Sequence, residues 1–200
     1  MTATGDSLDG EIATATALMA AWLRALQPWP SHPVNATGTV SAHFGPTILS
    51  EHDCVLHYAR FLADAGVAWE DIHLELSPGQ WMYETAGAKP KRIDLAIAPR
   101  DRLAAAPMPA ARGAFPLDAV FELALASSFW QHGAGWLKPV LAKVDADVAK
   151  VGEYLHAGLA TRGYVLVVEE CDHGFPDSYV TEQRDHTGVK VLLLQQWRRD

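Results

Sequence analysis

The chain has 200 residues, 49% of them hydrophobic, with a formal net charge of −8 and only two cysteines. That length suits one domain with a sizeable core. Cys54 and Cys171 lie far apart without CxxC spacing, so neither a disulfide framework nor a zinc knuckle is implied. The negative balance argues against a sequence-blind nucleic-acid binder, because neutralising phosphates takes surplus Lys and Arg.

The stretch "GEIATATALMAAWLRALQPW" is interrupted by Glu11 and Arg24 and lacks a basic leader. It reads as an amphipathic helix over roughly 10–27, not as a signal peptide or a membrane span, and a cytoplasmic protein is expected. The helix stops at the prolines of "QPWPSHP", and a loop follows to about residue 48. Residues 1–48 are thus expected to pack as a helix and loop on a domain spanning 49–200. The next helix starts at Ser50, a plausible N-cap with Asp53 three residues on, and stops near Gly66. Its inward stripe is Val55, Tyr58 and Leu62, and Glu51 falls on the same stripe.

"DIHLELS" and "KRIDLAIA" have the period-2 character of strands, and Pro99–Pro116, rich in Ala, Pro and Arg, reads as a long loop. A strand over 119–126 follows, then a long helix over about 138–160 with Val144, Val148 and Val151 in its apolar stripe. "GYVLVVEE" reads as a strand buried on both faces. A short polar helix near 178–186 and a last strand, "VKVLLLQQW", complete an α/β pattern: a mixed sheet of four or five strands flanked by helices.

Two carboxylates stand out. In "KRIDLAI", strand alternation puts Ile93, Leu95 and Ile97 on one side and Arg92, Asp94 and Ala96 on the other. In "AVFELALA", Phe121, Leu123 and Leu125 share one face, and Glu122 shares the other with Ala124 and Ala126. A charge in so apolar a strand needs a partner, a proton or a cation. Two strand carboxylates assisted by Glu51 are hard oxygen ligands of the kind that hold Mg²⁺ or Mn²⁺ with several waters kept. Such an ion serves phosphodiester hydrolysis. Simpler readings exist: Asp94 paired with Arg92, Glu122 with a core arginine, and Glu51 as a favourable charge at a helix N-terminus.

The run "RIDLAI", then "AVFELAL", then a helix with "LAKVDADVAKV" resembles the PD-(D/E)XK nuclease superfamily, the restriction-endonuclease-like fold. The likeness covers about Ser50 to Glu170, including its helix, three strands, helix, strand order. It implies Asp94 as the motif Asp, Glu122 as the acid of the triplet and Glu51 as the first-helix acid. It further implies a metal-dependent nuclease acting on DNA more than RNA, alone or with a protein partner or second copy. The triplet here is Glu122-Leu123-Ala124, with alanine in the lysine's place. A surrogate lysine is expected from the following helix: Lys138 or, preferably, Lys143, which shares a stripe with Asp147, Lys150 and Tyr154. The other outcome is a catalytically inactive nuclease-like module that binds a protein or nucleic-acid partner. Of nine histidines, His52 and His57 have the wrong spacing for joint ligation, and His132 and His173 have no partner the sequence can name.

Overall fold

A computed structural model describes residues 5–26, 50–76, 92–105, 117–126, 137–169 and 188–195. Two helices open the chain, α1 (Gly5–Ala25) and α2 (Glu51–Asp64), followed by a 3₁₀ turn (Trp69–Asp71). Then come β1 (Ile72–Leu76), β2 (Ile93–Ile97), a short α3 (Arg100–Ala105), β3 (Ala119–Ala126), α4 (Leu137–His156), β4 (Gly163–Glu169) and β5 (Lys190–Gln195). The five strands form one open sheet in the order β1-β2-β3-β4-β5. Its first two pairings are antiparallel and its last two parallel. The parallel step from β3 to β4 takes the crossover that α4 supplies. Among the described residues no helix is long and apolar enough to cross a membrane.

The expected α/β class and mixed sheet are present, and the expected helix starting at Ser50 is capped as its sequence indicates. Ser50 accepts from the Asp53 amide, and the Asp53 carboxylate accepts from the Ser50 amide. The helix ends at Ala65, and Gly66 turns the chain with φ +115°. Within the 99–116 stretch expected to be loop, Arg100–Ala105 is helical, and residues 106–116 lie outside the described residues. The first amide of this helix donates to Asp71 Oδ1, a cap brought from another part of the chain. The loop expected up to residue 48, the small helix near 178–186, Cys171, His132 and His173 lie outside the described residues.

Each face of the sheet has its own core. On one, α1 contributes Ile12, Ala15, Met19 and Leu23, and α2 contributes Val55, Tyr58 and Leu62, against Leu95, Phe121, Leu123 and Leu166. The first helix is therefore part of this core, and Arg162 at the head of β4 ties to its Asp9 at 2.7 Å. Phe121 is stacked on Tyr164 and meets Tyr58 edge-on. On the other face Val144, Val148, Val151 and Tyr154 of α4 cover Val120, Ala124, Val165 and Val167. The expectation that β4 is buried on both faces holds along its whole length.

Helix α4 sits close to the sheet because Gly163 has no side chain: a Cβ there would collide with Val151 Cγ1 and crowd Leu155. Gly163→Ala is expected to cost about 1–3 kcal/mol by overpacking. A chemical denaturation midpoint equal to that of the parent would show that α4 can retreat freely.

One alternation is corrected. Leu95 and Ile97 do share a face, but Ile93 packs in the opposite core, together with its cross-strand partner Leu76. The ribbon of β1 and β2 changes faces between Leu74↔Leu95 and Leu76↔Ile93. The position it skips is Glu75 opposite Asp94. Glu75 has φ +52°, a left-handed conformation uncommon for any residue but glycine, and this local twist breaks the period of two.

Candidate active site

The β2–β3 ladder runs from Ile97↔Ala119 to Leu95↔Phe121 and lapses at the next position, where Asp94 stands opposite Glu122. The two strands fork there, and backbone groups that a ladder would have paired are taken up by side chains. Asp94 Oδ2 accepts from the Leu123 amide at 2.9 Å. Lys143 Nζ donates to the Leu123 carbonyl at 2.7 Å. Lys150 Nζ donates to the Arg92 carbonyl and, at 2.6 Å, to Glu122 Oε2. A cleft of about 220 Å³ opens at the fork, lined by Asp94, Glu122, Glu51, Glu75, Lys143 and Lys150, among others.

Asp94, Glu122, Glu51 and Lys143, the four residues singled out in the sequence, all line this cleft. Arg92 does not neutralise Asp94; it pairs with Glu75 at 3.2 Å. The buried partner of Glu122 is a lysine and not an arginine. Glu122 is 2% exposed, and its second oxygen, Oε1, is buried and accepts no hydrogen bond among the described residues. Burial first, and the neighbouring Asp94 charge second, push its carboxyl up to about 8, against the pull of Lys150. Its surroundings thus favour the protonated form over the bare carboxylate, and a bound cation would reverse that preference.

Among the described residues no hydrogen bond or ion pair joins Lys143 to Glu122. Lys143 donates to Asp147 Oδ2 at 2.8 Å, one turn along α4, and lies 2.7 Å from Glu51 Oε1, an ion pair without the direction of a hydrogen bond. Burial alone would lower its pKa, but its bonds to Asp147 and Glu51 prevail and raise it. Asp147 is itself pushed up by burial. The helical stripe Lys143, Asp147, Lys150 and Tyr154, which by spacing alone resembles a solvated face, thus lies at or beside the cleft, with Tyr154 fully buried. Sequence reasoning placed Lys150 in that stripe without giving it a role; its contact with Glu122 depends on how α4 is rotated about its axis.

At the cleft mouth His52 Nε2 lies 3.6 Å from Glu75 Oε1. His57, by contrast, packs against Trp22, the two rings tilted by 33° with centroids 4.1 Å apart, and does not line the cleft.

Among the described residues no three His, Cys, Asp or Glu side chains converge closely enough to hold a metal ion unaided. Two carboxylates with several retained waters are nonetheless a normal Mg²⁺ environment, and the unpartnered Oε1 of Glu122 suits a cation. No protein family, no curated protein and no solved structure matches the chain.

Proposed function

We propose that the cleft is the active site of a divalent-metal-dependent nuclease of the PD-(D/E)XK type, acting on DNA in preference to RNA. The observation that carries this reading is the meeting of Asp94 and Glu122 where β2 and β3 part, with the Lys150 ammonium on Glu122. The helix, three strands, helix, strand order from α2 to β4 supports it, apart from the added α3.

In this mechanism Asp94 and Glu122 would hold Mg²⁺ or Mn²⁺, which when bound supplies charge neutralisation at the phosphate and a lower pKa for an attacking water. Asp94 is oriented by its bond from the Leu123 amide, so its free oxygen has a fixed direction. Glu122, whose buried Oε1 accepts no hydrogen bond among the described residues, would offer that carboxylate to the cation in place of a proton. Lys150 takes the place that Ala124 leaves empty in the triplet. It has three N–H donors, of which Glu122 and the Arg92 carbonyl use two, and the third can orient the attacking water or a phosphate oxygen.

The alternative, an inactive module, draws on Ala124 and on the fact that two of the acids already have ammonium partners. The two are separated by incubating the purified chain with supercoiled and single-stranded DNA in Mn²⁺, beside Asp94→Ala. Cleavage by the parent and its loss in the variant are expected. An inert parent that also binds no Mn²⁺ would leave only the inactive module.

A further inference from the structure

We propose that Lys143 is a positioning residue that couples the first turn of α2 to the acid pair through the fork in the sheet, tying the helical layers of both faces to one backbone position.

Helix α2 packs in the core of one face and α4 in that of the other. Where the strands part, one ammonium spans the gap. Lys143 Nζ, carried by α4, meets Glu51 of α2, Asp147 of its own helix and the carbonyl of Leu123 on β3. The same Leu123 gives its amide to Asp94. One peptide position is therefore held from both ends, by the metal-binding candidate Asp94 and by Lys143. A shift of Glu51 is passed to Leu123 through Nζ and from there to Asp94.

Lys143 spends two donors on the Leu123 carbonyl and Asp147 and holds Glu51 by charge, so its ammonium is occupied by groups of the protein on three elements. Glu51 is thereby held by a cation of the protein itself. It is an anchor for the α2 end of this chain of contacts rather than a ligand of the metal.

The test uses the full chain and the variants Lys143→Met and Glu51→Gln, with amide hydrogen exchange and cleavage kinetics in Mn²⁺. Lys143→Met should speed exchange about tenfold both in the first turn of α2 and at the Leu123 amide, which lie on different elements. It should also lower kcat about 10- to 100-fold with KM little changed, as misplacement of a reacting group does. Glu51→Gln, which leaves the Leu123 and Asp147 contacts in place, should loosen α2 alone. A merely structural lysine would instead raise exchange within α4 and β4.

The kinetic arm rests on the nuclease reading, but the exchange arm does not. If the parent is inert and the two distant segments still respond together, the coupling stands and the nuclease reading falls. If Lys143→Met leaves exchange at α2 and Leu123 unchanged, the coupling is overturned whether or not the protein cuts DNA.

Discussion

Lys150→Met is expected to lower Mn²⁺-dependent cleavage by about 10²- to 10⁴-fold, the contribution typical of a well-placed proton-transfer or charge-stabilising group. Mn²⁺ affinity should be retained. The lysine stands on Glu122 Oε2, so removing its charge takes a competing cation away from the carboxylate. Methionine keeps the apolar stem in a side chain that is only 18% exposed, which limits the packing loss. The informative result is the separation of rate from binding: calorimetry with Mn²⁺ on the variant, beside single-turnover cleavage. A variant that cuts at the parental rate would remove Lys150 from the chemistry. One that loses metal binding as well would make it a structural counter-ion.

The second large effect concerns Glu122. Burial and the Asp94 charge push its carboxyl up to about 8, from an ordinary value of 4.5. Because the folded value is the higher, its contribution is fully present below the unfolded value, is lost as the pH rises from there to about 8, and changes no further above it. The metal-free parent should therefore lose stability across that window. Glu122→Gln has nothing to ionise and should not share that loss. The two proteins should be closest near pH 4–5 and diverge by on the order of a few kcal/mol by pH 9, with the variant the more stable. Denaturant titrations in chelator at pH 5, 7 and 9 check this. Adding Mg²⁺ should restore the parent at high pH and leave the variant unmoved, because binding at Glu122 replaces a proton. Parallel pH profiles would mean that Glu122 is neither buried nor coupled to Asp94 as its surroundings indicate.

Much of this site could be read from residue spacing, for identifiable reasons. Asp94 and Glu122 each stand two residues before an alanine in an otherwise apolar strand, a pattern local enough to mark both acids without any account of the rest of the chain. The start of α2 was equally legible, since Ser50 and Asp53 satisfy one another within four residues. What was not legible depends on groups far apart in the chain. Lys150 meets the Arg92 carbonyl across 58 positions and Glu122 across 28. Helix α3 takes its cap from Asp71, so the Ala, Pro and Arg-rich stretch that contains it reads as loop. Ile93 was assigned to the wrong core because strict alternation has no means of anticipating a reversal at Glu75, where no glycine marks the left-handed backbone.

That reversal bears on more than the cleft. Strand β1 is the outermost of the sheet, and among the described residues it has a neighbour on one side only. A flat, five-residue outer strand with Ile72, Leu74 and Leu76 would be a template for another chain to extend. Glu75 interrupts it with a backbone that cannot continue a regular ladder and a carboxylate that is 41% exposed. The kink that helps to shape the fork also gives the sheet a guarded border, so that strand-to-strand aggregation is opposed at the edge nearest the site.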